Sequence, residues 1–169
     1  MNTVEMRSAA PADMPAVHAI YRAATADMQA HGIAQWDEIY PTADILDDDL
    51  ARGELYVVQT DAGVQAAVVL NEACDPAYAN ADWQFAGPVL IVHRLCVHPA
   101  AQGGGLGRGL MAAVERWALE HGYADLRLDA YSQNPHAQRM YARLGYVKRG
   151  EAVWRTGLFT LLEKPLSQP

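Results

Sequence analysis

The chain has 169 residues, of which 51% are apolar and 20% charged, and it carries a net charge of −7. This length and composition suit one globular domain, residues 1–169, with a core of its own, and the acidic balance offers no general electrostatic reason to bind nucleic acid. No apolar run approaches the roughly 20 residues of a membrane span, and Glu5, Arg7 and Asp13 interrupt any secretory segment, so a cytoplasmic protein with neither nucleic acid nor membrane as partner is expected.

In chain order, Glu5-Met6-Arg7-Ser8 predicts a short first strand. From Pro11 to about His31, Met14, Val17, Ala19, Ile20 and Ala24 recur at helical spacing, and Gly32 stops the helix. A loop carrying Trp36, Asp37 and Tyr40 follows. Thr42 is placed to cap a short acidic helix that ends before Gly53. Two strands, Leu55 to Thr60 and Val64 to Leu70, meet at Asp61-Ala62-Gly63, a hairpin signal. Residues 71–87, with Trp83 and Phe85, predict a long irregular segment, and such segments in compact domains often carry function. The apolar run Val89 to Val97 reads as the central strand.

Beyond Val97 a helix is predicted, with Leu106, Leu110, Val114, Trp117 and Ala118 on one face. A strand from Asp125 to Ala130, a helix capped by Asn134 and stopped by Gly145, and two strands near 146–154 and 157–163 complete the chain. The order βααβββαβαββ predicts an α/β sandwich around a mixed sheet. Cys74 and Cys96 show no metal or disulfide spacing, and six scattered histidines form no ligand pattern, so no metal is expected.

The densest signal lies between the central strand and the helix that follows. Gln102-Gly103-Gly104-Gly105-Leu106-Gly107-Arg108 sits where a strand hands over to a helix N-terminus. Free backbone N–H groups and about half a positive charge from the helix dipole make such a place an anion site. Glycines let the backbone approach a phosphate with no Cβ in the way, and a plain turn has little use for so many of them. A nucleotide-triphosphate loop is excluded because no Gly-Lys pair exists. A dinucleotide fingerprint fits only at Gly107-Arg108-Gly109-Leu110-Met111-Ala112, inside the predicted helix, with Asp129 about 20 positions on.

The third pattern is Gln-x-x-Gly-x-Gly, filled by Gln102, Gly105 and Gly107. Together with Leu95-Cys96-Val97-His98-Pro99 before it and Asn134, Ala137, Tyr141, Gly145 and Tyr146 after it, this loop resembles the acyl-coenzyme A loop of the GNAT superfamily of N-acyltransferases. The motifs span residues 89–146, and the flanks agree in element order. The resemblance implies a GNAT-like three-layer sandwich around a mixed, mostly antiparallel sheet of about seven strands with a splayed central pair. It implies acetyl transfer from acetyl-CoA to a primary amine of a small molecule or peptide, by direct attack in a ternary complex. A non-catalytic acyl-CoA-binding module and, further off, a nicotinamide-dependent enzyme are the competing readings. Dimerisation, donor chain length and the identity of the acceptor stay open.

By the resemblance, the backbone of Leu95, Cys96 and Val97 faces the thioester, and Gln102, Gly103, Gly104, Gly105, Leu106, Gly107 and Arg108 cradle the pyrophosphate, with Asn134, Ala137 and Tyr141 as further cofactor contacts. The chemistry sets the remaining demands. An ammonium of pKa near 10.4 must lose its proton, at a cost of roughly 4–5 kcal/mol at pH 7, so a base or water chain is useful. The leaving thiolate has a pKa near 8.5 and a tyrosine near 10, so Tyr141 serves chiefly as a hydrogen-bond donor to developing charge. Many family members carry a Glu where this chain has Ile91. His93, two residues on and on the same strand face, and Asp129, where ribosomal-protein alanine acetyltransferases have a Glu, are the candidate bases beside a water relay. Asp129 ranks first. Trp36, Asp37, Tyr40, Trp83 and Tyr131 are the candidate acceptor contacts, a mix of aromatics and carboxylate suited to an amine.

Overall fold

The computed structural model describes residues 3–167. Its strands are β1 (Arg7–Ser8), β2 (Leu55–Thr60), β3 (Gly63–Asn71), β4 (Val89–Val97), β5 (Asp125–Tyr131), β6 (Val147–Trp154) and β7 (Gly157–Pro165). Its helices are α1 (Met14–Ala30), α2 (Ala43–Ala51), α3 (Leu106–Glu120) and α4 (Pro135–Arg143), with single 3-10 turns at Pro11–Asp13, Pro76–Asn80 and Pro99–Ala101. The element order is the predicted one. The strands form a mixed seven-stranded sheet in the order β1-β2-β3-β4-β5-β7-β6.

The chain divides into two compact units, Met1–Leu70 with Arg94–Val114, and Asn71–His93 with Glu115–Pro169. In the first, β1 pairs antiparallel with β2 through Arg7↔Val57, and β2 with β3 through Leu55↔Val69. Helix α1 buries Met14, Val17, Ile20, Tyr21 and Ala24, the i, i+3, i+4, i+7 stripe of an amphipathic helix. Ala19 falls outside that stripe and is exposed, while Tyr21 takes a core position that an apolar count overlooks. The helix opens with a 3-10 turn rather than directly at Pro11, because Asp13 accepts the Ala10 N–H at 2.7 Å and draws the chain into a tight turn. The Thr42 hydroxyl accepts the Ile45 N–H at 3.3 Å and caps α2 as expected.

In the second unit, β5 pairs antiparallel with β7 over its whole length, from Asp125↔Pro165 to Tyr131↔Phe159, and β7 pairs antiparallel with β6. The ladder between β4 and β5 is parallel and runs from Val89↔Asp125 to Val92↔Leu128. Strand β4 continues to Val97 and β5 to Tyr131, past the last pair of this ladder. Asn134 caps α4, its side-chain oxygen accepting the Ala137 N–H at 3.2 Å. The segment after β3 is not structureless: Asp75 caps a 3-10 turn that buries Tyr78 against Ile91, Ala152 and Leu161. No described helix is long and apolar enough to cross a membrane.

Candidate active site

The first unit carries the glycine loop. Gly103 and Gly105 adopt φ of +85° and +84°, the left-handed region in which a side chain is strained. The Gln102 side chain donates to the Val97 carbonyl at 3.2 Å and ties the loop back to the strand end. A Cβ on Gly105 would lie 3.7 Å from Arg108 Nη2, so the guanidinium stands over the loop. Gly109, one turn into α3, packs so closely on Val4 that a Cβ would meet Val4 Cγ2 at 2.3 Å. The dinucleotide fingerprint Gly107 to Ala112 thus lies within helix α3 and not on a strand-to-helix turn.

Strand β4 is not regular where it approaches this loop. Arg94 has φ of +50°, the one non-glycine residue with a left-handed backbone among those described. Its carbonyl accepts the Tyr21 hydroxyl at 2.5 Å. Its guanidinium forks onto Asp49, Nε to Oδ2 at 3.0 Å and Nη2 to Oδ1 at 2.6 Å, and Nη1 donates to the Tyr40 hydroxyl at 2.8 Å. Burial pushes the Asp49 carboxyl above its ordinary range, and the guanidinium opposes that shift. Leu95 and Val97 flank Cys96, which is buried with its thiol directed at the Ile20 carbonyl at 3.6 Å; burial raises that thiol well above the usual range, so it is packing, not nucleophile.

Between α1 and α2 a groove of about 440 Å³ is lined by Tyr21, Arg22, Gln29, Asp37, Glu38 and neighbouring residues. Asp37 bends the loop beside it by accepting the N–H groups of Ile39 and Tyr40 at 2.9 and 3.2 Å. Trp36, a candidate acceptor contact, is 6% exposed and packs on Tyr21 with ring centroids 5.5 Å apart. Its large apolar ring is better accommodated in the core of this unit than in water.

The second unit carries the other candidates. Tyr141 is buried, and burial together with the nearby Asp129 charge pushes its phenol upward, so it stays a neutral donor at physiological pH. Asp129 accepts the Tyr78 hydroxyl at 2.7 Å. Burial and the same carboxylate raise the Tyr78 phenol far beyond its ordinary value, which makes it a committed donor. His93 presents Nε2 to two oxygens, Asn71 Oδ1 at 2.7 Å and the Ala73 carbonyl at 2.9 Å. Both are acceptors, so Nε2 carries the proton. Trp83 donates to the Tyr78 carbonyl at 2.8 Å and lies under Arg127, 4.5 Å from its ring centre. Tyr131 is 3% exposed; its hydroxyl donates to the Thr156 carbonyl and its ring packs on Phe159, so it is a core residue and not a surface contact.

The structure therefore brings Asp129 and Tyr141 into one electrostatic environment, and joins Tyr40 to the bend in β4. Sequence reasoning missed Arg94, Asp49, Tyr21 and Tyr78. One local signal was present: the consecutive polar pair His93-Arg94 breaks the apolar run of the central strand, as a bulged residue does.

A model of the acetyltransferase (GNAT) family matches residues 17–146. Among solved structures, a GNAT-family acetyltransferase from Streptococcus agalactiae is 20% identical and superimposes with a TM-score of 0.87, over 98% of this chain and 96% of its own. The Salmonella typhimurium protein yncA, solved with its cofactor acetyl-CoA, is 21% identical with a TM-score of 0.68, covering 99% of this chain and 96% of its own. The ribosomal-protein-S18-alanine N-acetyltransferase of Escherichia coli is 18% identical with a TM-score of 0.69, covering 98% and 95%. With the family model extending over most of its length, the chain belongs to the GNAT family of acetyltransferases, acyltransferases that use acetyl-CoA.

Proposed function

We propose that residues 1–169 work as one catalytic domain that moves an acetyl group from acetyl-CoA to a primary amine of a small molecule or peptide, by direct attack in a ternary complex. The observation that carries this reading is the glycine loop: two left-handed glycines between β4 and α3, with Arg108 standing over Gly105. The amides of Gln102 to Arg108 bind the pyrophosphate, helped by the α3 N-terminus. Asn134 and Ala137, at the start of α4, contribute further contacts to the same co-substrate.

In the reaction the amine nitrogen bonds to the acetyl carbon, the carbon–sulfur bond breaks, and the thiolate leaves. The backbone of Leu95 to Val97 donates to the carbonyl oxygen as charge develops there. Tyr141 is a neutral donor and so stabilises and protonates the leaving sulfur. Asp129, oriented by Tyr78, takes the amine proton directly or through one water. His93 donates its Nε2 proton to Asn71 and Ala73, which weighs toward Asp129. The acceptor enters the groove between α1 and α2, where Asp37 and Glu38 favour a cationic group, near Tyr40 and with Trp36 as supporting wall. Trp83 and Tyr131, the other candidate acceptor contacts, pack within the second unit on Tyr78 and on Phe159.

Calorimetric titration with acetyl-CoA, with NADH in parallel, tests the donor assignment, and thiol release across a panel of amines tests the transfer. Gly105→Glu forces a side chain into a left-handed position and sets a negative charge against the phosphates. The expected result is at least a 100-fold loss of acetyl-CoA affinity with folding retained. Unchanged affinity in that variant, or binding of NADH in place of acetyl-CoA, overturns the assignment.

A further inference from the structure

Arg94 occupies a left-handed backbone conformation that is strained for an L-residue, and such a conformation persists only where its surroundings hold it. Three elements do so here. Tyr21 of α1 donates to the Arg94 carbonyl, Asp49 of α2 takes the guanidinium fork, and Tyr40 of the intervening loop accepts the remaining Nη1 donor. Asp49 is 1% exposed, so its pairing with Arg94 is obligatory: a carboxylate there without a cation would be an unpaired buried charge. Burial keeps the Tyr21 phenol neutral, so it remains the donor in its bond to Arg94.

The consequence follows from peptide planarity. The Arg94 carbonyl and the Leu95 N–H belong to one trans peptide and point in opposite directions. A hydrogen bond that fixes the carbonyl therefore fixes the direction of the Leu95 N–H. The guanidinium fork anchors the Arg94 side chain beside it, and the plane itself cannot turn without breaking the Tyr21 hydrogen bond. We propose that Arg94, with Tyr21 and Asp49, is a positioning device that aims the Leu95 amide at the thioester carbonyl and couples that aim to the Tyr40 loop beside the acceptor groove. This rests on the acetyl-CoA reading above. None of the three side chains is asked to touch the reacting atoms.

The test needs no acceptor. Coenzyme A and acetyl-CoA share the pyrophosphate and differ by the acetyl group, so the ratio of their dissociation constants reports contacts to that group, the strand amides among them. Calorimetry with both ligands is run on the intact protein and on Tyr21→Phe, Arg94→Gly and Arg94→Lys. Arg94→Gly removes the clamp while permitting the left-handed backbone. Tyr21→Phe deletes a single oxygen and keeps the test open if the glycine variant does not fold. The expected result is a preference for acetyl-CoA in the wild type that falls at least threefold in Tyr21→Phe and Arg94→Gly, and less in Arg94→Lys, with coenzyme A affinity within twofold of wild type. An unchanged ratio in all three overturns the proposal, as does a parallel loss of affinity for both ligands, which marks general loosening of the loop. Equal wild-type affinities overturn it as well, because no carbonyl contact then exists to be aimed. A wild type that binds neither ligand defeats the acetyl-CoA reading itself.

Discussion

Each unit buries carboxylates, and the two solve the problem differently. In the first, Asp49 meets one arginine in a complete fork, one cation for one anion. In the second, two fully buried carboxylates, Asp125 and Glu163, share Arg127 and Arg149. Glu163 is saturated: it accepts Gln84 N at 3.0 Å, Phe85 N at 3.4 Å and Arg149 Nε at 2.9 Å, and Arg127 Nε lies at 3.5 Å. These donors hold it below the usual carboxylate range despite burial. Asp125 receives only Arg127 Nε through Oδ2, and its Oδ1 is the one buried side-chain oxygen without a hydrogen-bond partner among the described residues. Burial, with the Glu163 carboxylate beside it, pushes Asp125 up to about 7. A proton on Asp125 would satisfy the orphaned oxygen by donating toward Glu163. What keeps a buried carboxylate ionised is thus the number of donors converging on it, and formal charge balance alone does not do it.

The largest effect that tests this contrast is Glu163→Ala. It strands Arg149 and the backbone N–H groups of Gln84 and Phe85, and a loss of about 4 kcal/mol is expected in denaturant unfolding. A loss under about 1 kcal/mol would show that the network is solvated. Asp49→Ala removes one fork and leaves a partly exposed arginine, so about 3 kcal/mol is expected, less than for Glu163; the reverse order would break the comparison.

Asp129 sharpens it from the functional side. It is half-buried and accepts the Tyr78 hydroxyl. Asp129→Asn should leave stability within about 1 kcal/mol while kcat falls about 100-fold. A stability loss like that of Glu163→Ala, with kcat retained, would make Asp129 structural and shift the base to His93 or water.

The last test is Asp125→Asn, read as a change in the slope of stability with pH. With a folded pKa near 7 and an unfolded one near 3.8, the folded state holds an extra proton between those values. Wild-type stability therefore declines as pH rises from about 4 to about 7 through this group, then levels off. Asparagine removes that decline, and identical slopes in the two proteins would place the proton elsewhere.

Which elements form was legible from the chain because their causes are local. The apolar run of β4, the Asn134 and Thr42 caps and the glycine-rich turn before α3 each depend on residues within a few positions of one another. The loop pattern with the Asn134 to Tyr146 run likewise identified the family, since both motifs are contiguous in sequence. Burial of Trp36 and Tyr131, and exposure of Ala19, were not legible, because which side of an element meets the core depends on what packs there. Nor was the clamp on Arg94, whose partners lie 45, 54 and 73 positions away, or the assignment of Tyr78 to Asp129 across 51 positions. The sequence by itself determined the elements, the glycine loop and the family. Only the tertiary structure decided which carboxylates are paired, which has its pKa raised by burial and which peptide carbonyl is held, because desolvation and ion pairing act between residues that chain folding alone brings together.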